Sequence, residues 1–557
     1  MPAGLRDTPP MDVINGFFWL VSTALFVVLW LARFVLTRPV WLWRKASSHR
    51  RRKAQGSARW ASRWGQIWYG AVRGEGVILG RGAFGRLLRF SSDGMVMVFA
   101  AMGAGKGLGV VIPSLLSYRG SMVVTDPKGE NYAITRRQRA KFGKVWMLNP
   151  TDLAHSERFN PLDMVRAGTP QETDDAEALA RLMVVPDARE SHWDDKAISL
   201  IKGLILHVLA TEPAPSRTLG TVRRLSAGQR ETFIANLTDM AGNSPSPAAR
   251  EILGGLLTSA VDSSGDFSEE FQSILSNVQK ATEPWSATSP AGKLSSSSTF
   301  QLTDLVDDTG TLFLCVDEDL LDVYSRWLRV MVGCTLKTLT RAKANKPRRK
   351  VVLLLDEVAV LGRLDVLEKQ SGLLRAYCTP VLIWQNLPQV AKVYGHNAAA
   401  FLANASARLF FGVNDNETAT YVATMLGHTP AHSTSSSVSL NGTGWDTRGR
   451  SHSQSEGSYW LLDAAEIQRL PLIKVILKLR NCPFPIFGKR LDYRKMWRWR
   501  GVWDAWDGTP RGFTHAPQPP ERLVFPEAAF ENKPNITIGT DTEDQNFKPL
   551  HRRQYCP

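Results

Sequence analysis

A buried strand, a glycine-rich turn and a helix follow one another between residues 95 and 118. The apolar run MVMVFA predicts the strand, the turn reads AMGAGKG, and LGVVIPSLLSY reads as a helix. In such a turn, successive backbone N–H groups point toward bound phosphates, and one lysine reaches their outer oxygens. We therefore predict a phosphate-binding loop made of Gly103, Ala104, Gly105, Lys106, Gly107 and Leu108.

The loop departs at two positions from the common phosphate-loop pattern G-x-x-x-x-G-K-[ST]. Ala100 stands where the first glycine is expected, and Gly107 stands where a Ser or Thr hydroxyl would ligate Mg²⁺. Water can replace that hydroxyl, because Mg²⁺ keeps several water ligands in protein sites. Taken alone, the loop is equally compatible with a glycine turn that binds nothing.

A second apolar strand ends in paired carboxylates. The run RRKVVLLLDEV carries Asp356 and Glu357, as the second motif of phosphate-loop ATPases does. Asp356 is expected to hold Mg²⁺ through its water shell, and Glu357 to orient and deprotonate the attacking water. At the next strand end, in VLIWQN, Gln385 is either a γ-phosphate sensor or a polar cap of the strand. Together these motifs predict an ATPase site where Lys106 and the two acids meet.

Strand and helix signals alternate through residues 95–150 and return after residue 300. This alternation is typical of a parallel α/β sheet. Residues 172–300 show helical spacing without a convincing strand run, which predicts an all-α insert. We therefore assign an α/β nucleotide-binding domain to residues 71–171 and 301–507, interrupted by an all-α domain at 172–300.

Residues 16–36, GFFWLVSTALFVVLWLARFVL, predict a transmembrane helix. At ~1.5 Å rise per residue this segment spans ~31 Å, about one hydrocarbon core. A buried core helix fits less well because the segment is apolar on all faces, and a cleaved signal peptide fits less well because no basic n-region precedes it. The basic run RKASSHRRRK follows, so the positive-inside rule places residues 1–15 in the periplasm and the main body in the cytoplasm.

The net charge of +16 is concentrated near the amino-terminal end. Residues 1–70 contain eleven Lys or Arg and two Asp, and so contribute +9. Binding of the basic linker 37–70 to anionic inner-membrane lipids explains much of this excess without nucleic acid.

The five cysteines are far apart and form no C-x-x-C pair, which argues against a disulfide framework or a zinc site. Residues 429–458 predict a mobile Ser/Gly-rich loop, and residues 508–557 a flexible Pro-rich tail.

Seven motifs follow one another along the chain: GSARWA, GAGKGLGVVIPSLL, VVTDPKGENY, FNPLD, LLLDEVAVLGRLDVLE, IWQNLPQVAKVYG and AAEIQRLP. Together they resemble the TraG-like coupling proteins of type IV secretion and conjugation, over roughly residues 55–500. That family often has a small residue at the position of Gly107, so the unusual loop resembles a working variant. Relatives commonly have two membrane helices, whereas a single one is predicted here.

The resemblance implies a RecA-like P-loop ATPase domain that uses ATP and Mg²⁺ and assembles as a homo-hexamer at the bacterial inner membrane. It also implies partners: type IV secretion channel components, a relaxase with single-stranded DNA, and effector proteins. The turn DPKGE, residues 126–130, matches a family motif near the nucleotide, with a plain turn as the alternative. Arg375 and Arg408 are candidates to reach a neighbouring subunit's γ-phosphate, and a structural role is the alternative for each; Arg375 is assigned to the site.

Three functions are compatible with these motifs. The first, which we predict, is an ATP-hydrolysing coupling protein that recruits relaxase-bound DNA or effectors and drives DNA translocation. The second is a substrate receptor that uses ATP mainly for assembly. The third is a double-stranded DNA pump of the chromosome-segregation type. That pump is expected to carry four membrane spans and a small winged DNA-reading domain, and the sequence indicates neither.

Overall fold

The computed structural model describes residues 56–186, 191–260, 267–343, 345–369, 371–440 and 448–506. Eleven strands of this part of the chain form one sheet, and two more form a separate ribbon. In chain order the strands are β1 (Val77–Arg81), β2 (Leu87–Phe90), β3 (Met95–Ala100), β4 (Met122–Asp126), β5 (Lys144–Leu148), β6 (Gly310–Cys315), β7 (Val351–Leu355), β8 (Cys378–Trp384), β9 (Ala405–Phe411), β10 (His428–Leu440), β11 (Arg448–Trp460), β12 (Lys474–Leu479) and β13 (Ile486–Lys489).

The large sheet has the order β2-β1-β13-β12-β9-β3-β8-β7-β4-β6-β5. Every pair from β9 to β5 is parallel, whereas β12, β13, β1 and β2 add an antiparallel edge. The carboxyl ends of the parallel strands therefore share one edge, where open α/β sheets bind their ligands. The predicted α/β fold with a mostly parallel sheet is confirmed.

Helices cover both faces of the sheet, as parallel sheets require. Within β3, the side chains of Met97 and Phe99 lie in one hydrophobic cluster, and those of Val96 and Val98 lie in the other. The helices are α1 (Arg63–Trp68), α2 (Ile112–Ser117), α3 (Glu130–Ala140), α4 (Glu172–Met183), α5 (Ser191–Thr211), α6 (Leu219–Ser226), α7 (Arg230–Asn243), α8 (Pro247–Ala260), α9 (Glu269–Thr282), α10 (Pro290–Leu294), α11 (Asp304–Asp307), α12 (Ser325–Arg341), α13 (Asp365–Lys369), α14 (Ser371–Leu374), α15 (Leu387–Tyr394), α16 (Ala398–Ala403), α17 (Asn416–Leu426) and α18 (Ala464–Gln468).

A long helical excursion separates two strands that pair with each other. β5 ends at Leu148 and β6 begins at Gly310, yet the two strands are parallel neighbours in the sheet. Helices α4 to α11 lie between them, and the described residues of this stretch contain no strand. In α5 the side chains of Leu204, Ile205 and Val208 are buried, as their spacing predicts. The domain boundaries assigned above stay a prediction.

The prediction of a loop at residues 429–458 is wrong for most of that segment. β10 and β11 form a two-stranded antiparallel ribbon, in register from His428 opposite Trp460 to Leu440 opposite Arg448. The scarcity of aliphatic residues suggested a loop, but main-chain hydrogen bonds between the two strands need no apolar face. Hydrophobic periodicity therefore gave no signal for this pair of strands.

No helix in the described ranges is long and apolar enough to cross a membrane. The predicted membrane helix at residues 16–36 and the predicted periplasmic residues 1–15 lie outside these ranges, as does the tail 508–557. Of the predicted linker 37–70, the structure describes residues 56–70, which include α1.

Candidate nucleotide-binding site

The predicted phosphate loop lies at the carboxyl end of β3, in the middle of the sheet. It leads into a π-type turn, Gly107–Val111, and then into α2. Gly103 and Gly105 have φ angles of 73° and 84°, in the left-handed region that glycine adopts without steric cost. The Gly109 amide donates to the Gly105 carbonyl at 3.0 Å, so the loop is tied directly to the first turn that follows it.

The structure brings Lys106 together with the two predicted acids. β8 lies between β3 and β7, so the ends of the two motif strands are separated by a single strand. The Lys106 Nζ lies 3.4 Å from Asp356 Oδ1, and it also donates to Glu357 Oε1. Burial opposes the charged form of Lys106, but the charges of Asp356 and Glu357 outweigh burial and raise the pKa of the ammonium. The loop lysine is thus neutralised by carboxylates from a strand about 250 residues away.

Glu357 has a backbone conformation that is rare for a residue with a side chain. Its φ is 50°, and it lies two residues after the end of β7 at Leu355. The backbone is fixed there because the Glu357 amide donates to Asp356 Oδ1 at 3.0 Å and the Thr125 hydroxyl donates to the Asp356 carbonyl at 2.9 Å. Strained backbone of this kind concentrates at functional sites. Here it directs the Glu357 carboxylate toward the phosphate loop.

Gln385 belongs to the same cluster. It follows β8, and its Nε2 donates to Glu357 Oε2 at 3.0 Å. The Gln385 amide in turn donates to Gln389 Oε1 at 3.0 Å, at the first turn of α15. The Glu357 carboxylate therefore accepts a hydrogen bond from Lys106 at one oxygen and from Gln385 at the other. Gln385 thus contacts the site residues directly and does not only cap its strand.

The DPKGE turn lies beside this cluster. Asp126 ends β4 and is fully buried, and burial raises the pKa of its carboxyl to about 6. It accepts hydrogen bonds from the Tyr132 amide at 2.8 Å and from Asn131 Nδ2 at 3.1 Å. The pKa of Glu130 is raised by burial and, more weakly, by the charge of Asp356. The hydrogen bond from the Thr125 hydroxyl to the Asp356 carbonyl joins the end of β4 to the paired acids, so the turn and the acids share one region.

The structure does not bring the two candidate arginines to this cluster. Arg375 is exposed and precedes β8, at the opposite end of that strand from Gln385, about 20 Å away at ~3.3 Å per residue. Its side chain makes no hydrogen bond or ion pair with other residues in the described ranges. Arg408 lies inside β9 and donates to the Tyr421 hydroxyl at 2.7 Å. A role for Arg375 at a neighbouring subunit's site stays a prediction.

Sequence reasoning missed Arg490, which contacts the phosphate loop. β13 runs parallel to β3, because it is antiparallel to β12 and β12 is antiparallel to β9. Its last residue is therefore at the same edge as the loop, and the guanidinium of Arg490 donates to the Ala104 carbonyl. Nothing in the sequence distinguishes Arg490 from the other basic residues of the segment GKRLDYRK.

The donor set fits a nucleotide that carries its own Mg²⁺. The loop supplies backbone N–H groups and an ammonium for phosphate oxygens, and Asp356 and Glu357 supply hard oxygen ligands. Within the described residues, no group of three or more His, Cys, Asp or Glu side chains could hold a metal ion unaided. A Mg²⁺ ion here would need phosphate and water oxygens to complete its ligands, which is its usual arrangement in phosphate sites.

The fold and this site define a P-loop α/β nucleotide-binding protein. The family model for type IV secretory system conjugative DNA transfer matches residues 51–522. The chain belongs to this family, and the resemblance to the coupling proteins is confirmed.

Among curated relatives, the chain is 28% identical over 361 residues to the conjugal transfer protein TraG of Escherichia coli, covering 61% of this chain and 56% of the relative. It is 27% identical over 400 residues to the protein VirD4 of Agrobacterium fabrum, covering 68% and 58%. The chain thus spans little more than half the length of these relatives.

Among solved structures, the plasmid coupling protein TrwB in complex with a non-hydrolysable ATP analogue has a TM-score of 0.58 and 15% identity, covering 79% of this chain and 94% of that one. TrwB in complex with ADP and Mg²⁺ has a TM-score of 0.56 and 15% identity, covering 79% and 97%. At this level of identity the likeness establishes the shared RecA-like fold.

Proposed function

We propose that the protein is a type IV coupling protein that binds and hydrolyses ATP and uses it to deliver substrates to a type IV secretion channel. The observation that carries the proposal is the meeting of Lys106, Asp356, Glu357 and Gln385 at the carboxyl edge of the sheet. Membership of the conjugative DNA transfer family supports the coupling role. The ATP analogue and the ADP with Mg²⁺ bound to TrwB support the choice of nucleotide and metal ion.

Each residue of the cluster has a separate task in ATP hydrolysis. The loop N–H groups and Lys106 bind the phosphates, and Asp356 would hold Mg²⁺ through its water shell. When bound, Mg²⁺ neutralises charge on the phosphate oxygens. Glu357 orients the attacking water and accepts its proton, and Gln385 senses the γ-phosphate through its hydrogen bond to Glu357.

Nucleotide binding must rearrange the Lys106–Glu357 pair. The ammonium now donates to the Glu357 carboxylate, an acceptor that a phosphate oxygen would have to replace. Phosphate oxygens compete well for an ammonium because charge-assisted hydrogen bonds to them are strong. When Lys106 turns to phosphate, Glu357 keeps its Gln385 contact and gains a free oxygen for water. The cluster is then a closed resting form of the same machinery.

We further propose that the protein works at the bacterial inner membrane as a homo-hexamer. The predicted helix at 16–36 supports a single-pass anchor with the amino terminus in the periplasm, and the basic linker supports contact with inner-membrane lipids. The exposed position of Arg375 fits a ring. Because Arg375 lies at the end of β8 opposite to its own nucleotide site, its proposed contact is with the γ-phosphate bound by an adjacent subunit.

The proposed substrates are a relaxase with its single-stranded DNA, or effector proteins. The similarity to TraG, a conjugal transfer protein, and to TrwB, a plasmid coupling protein, supports DNA transfer as the process. A pump would move the strand through a central pore by sequence-independent contacts. The alternative is a receptor that uses ATP mainly for assembly.

ATP turnover of the full-length protein in lipid nanodiscs, with and without single-stranded DNA, tests the proposal. We expect Mg²⁺-dependent turnover that DNA stimulates, and that disappears in Lys106→Ala and Glu357→Gln. ATP turnover that does not change when single-stranded DNA is added would favour the alternative, a substrate receptor that uses ATP mainly for assembly. A wild-type protein that neither binds nor hydrolyses ATP would overturn the proposed function.

A further inference from the structure

Arg490 has a fixed place above the phosphate loop. It follows β13, and its backbone amide donates to the Ile473 carbonyl at 2.7 Å, which holds the residue against the start of β12. The side chain then extends toward β3 and its guanidinium donates to the Ala104 carbonyl. The contact joins residues that are 386 positions apart in the chain.

Two glycines of the loop make room for this side chain. A Cβ at Gly105 would lie 2.8 Å from the guanidinium carbon of Arg490, and a Cβ at Gly109 would lie 2.7 Å from its Cγ. Both distances are shorter than normal contacts between carbon atoms. The Arg490 side chain therefore follows the loop from Gly109 to Gly105, and its charged end lies where the loop's phosphate cradle begins.

The charge of Arg490 has no counter-charge in the described part of the chain. No carboxylate there lies within ion-pair distance of it, and the nearby Asp492 is paired with Arg494 at 3.0 Å. The Nε atom of Arg490 is buried and lacks a hydrogen-bond partner among these residues. Lys106, by contrast, is neutralised by Asp356 and Glu357. A buried donor without a partner is costly unless a ligand completes it.

We propose that Arg490 is a second phosphate-binding cation of this site, whose guanidinium donates to oxygens of the phosphate chain of a nucleoside triphosphate. This inference rests on the proposed function and adds a residue to its site. Guanidinium suits the task because its planar array of donors contacts two phosphate oxygens at once. On binding, the group turns from the Ala104 carbonyl to phosphate, and the buried Nε–H gains an acceptor.

The Arg490 side chain has two other possible roles, and each makes a different prediction. If it only clamps the loop through the Ala104 carbonyl, a neutral donor such as glutamine replaces it. If it blocks the cradle, removing it strengthens nucleotide binding. A phosphate-binding cation requires the positive charge, so lysine replaces it in part and glutamine does not.

Titration of the full-length protein with Mg²⁺–ATP and Mg²⁺–ADP, by calorimetry, tests the three roles. We expect Arg490→Ala and Arg490→Gln to weaken ATP binding by about 10- to 100-fold, the range for hydrogen bonds to a charged group. Arg490→Lys should recover part of that loss, and added guanidinium ion at millimolar concentration should partly restore Arg490→Ala. The adjacent exposed Lys489→Ala is the matched control and should bind as the wild type does.

Wild-type affinity in Arg490→Gln, or tighter binding in Arg490→Ala, would overturn this inference. Thermal unfolding of each ligand-free variant shows whether the fold is kept, and the two conservative variants keep the test valid if the alanine variant does not fold. The outcome is separable from that of the proposed function. If the wild type binds ATP and Lys106→Ala does not, while the Arg490 variants bind normally, only the role of Arg490 fails.

Discussion

The ammonium of Lys106 donates to the carboxylate of Glu357, a residue 251 positions further along the chain. Gln385 holds the other oxygen of that carboxylate at 3.0 Å. The proposed general base, Glu357, is therefore the group that pairs with Lys106 when no phosphate is present. In the proposed mechanism this arrangement couples ATP binding to the activation of Glu357, since the same event frees both groups.

Glu357→Gln should bind Mg²⁺–ATP more tightly than the wild type while hydrolysing it more slowly. The neutral amide competes less for Lys106 and does not repel phosphate, so we expect affinity to rise several-fold. Loss of the general base should lower turnover by about 10²- to 10⁴-fold. Calorimetry and steady-state kinetics on the same preparation measure both effects. Exposed Glu251→Gln in α8 is the control, and unchanged turnover in Glu357→Gln would remove this residue from the mechanism.

Gly103→Ala and Gly105→Ala should differ in nucleotide binding although both strain the backbone. Each places a side chain at positive φ, which costs about 1–2 kcal/mol of unfolding free energy. A Cβ at Gly103 meets no atom within 4 Å, whereas one at Gly105 displaces Arg490. We therefore expect similar urea unfolding but weaker ATP binding for Gly105→Ala. In an Arg490→Ala background this difference should vanish, and its persistence would contradict the explanation.

Asp126 should make stability fall as the pH rises through about 6. Burial raises the pKa of its carboxyl to about 6, above the ordinary aspartate value of 3.8. The folded state then binds more protons than the unfolded state between these values, so the contribution of Asp126 is full below pH 3.8 and is lost by about pH 7.

Asp126→Asn removes this titration, because an amide stays neutral. We measure the melting temperature of the variant minus that of the wild type. At pH 5 this difference can have either sign, because the substitution also alters hydrogen bonds. We expect the difference to become more positive between pH 5 and pH 7. Differential scanning calorimetry of the ligand-free protein at each pH measures these melting temperatures. Exposed Asp319→Asn should give a pH-independent difference. A flat profile for Asp126→Asn would show that its carboxyl titrates at its ordinary pKa.

Arg139 should be essential for stability although it is far from any proposed chemistry. It is fully buried, and burial lowers the pKa of its guanidinium to about 9. It donates to the Thr311 hydroxyl at 2.8 Å and to the Gly120 carbonyl at 2.7 Å, which joins α3 to β6 and to the turn before β4. Arg139→Met leaves these acceptors unpaired and should cost about 3–5 kcal/mol of unfolding free energy in urea. A loss below about 1 kcal/mol, similar to that of exposed Arg119→Met, would contradict this view.

Arg375→Ala should abolish turnover without changing ATP affinity. The side chain lies at the far end of β8 from its own site, so binding within one subunit does not need it. Removal of an arginine supplied by a neighbour typically lowers turnover by about 10³- to 10⁵-fold. Mixing Arg375→Ala with Lys106→Ala subunits should restore part of the activity, because each supplies what the other lacks. No recovery, or a loss also seen in exposed Lys392→Ala, would exclude the role.

The sequence alone was sufficient for the parallel strands and for the motif residues on them. β3 coincides with the predicted run MVMVFA, and β7 lies within the predicted run RRKVVLLLDEV, because strands buried on both faces appear as unbroken apolar runs. Lys106, Asp356 and Glu357 were found because the chemistry of phosphate binding restricts the residue types at strand ends. The helical excursion before β6 was visible for a similar reason, since unbroken apolar runs give way there to apolar residues at helical spacing.

The tertiary structure alone decided the positive φ of Glu357, the ribbon of β10 and β11, and the place of Arg490. The ribbon and the Arg490 contact depend on strand pairing, which local sequence does not encode when a strand lacks an apolar run. Arg490 reaches Ala104 only because two successive antiparallel pairings, β9 with β12 and β12 with β13, bring β13 back into the direction of β3. Local propensity specifies single elements, whereas contacts across hundreds of residues follow from how the whole sheet is assembled.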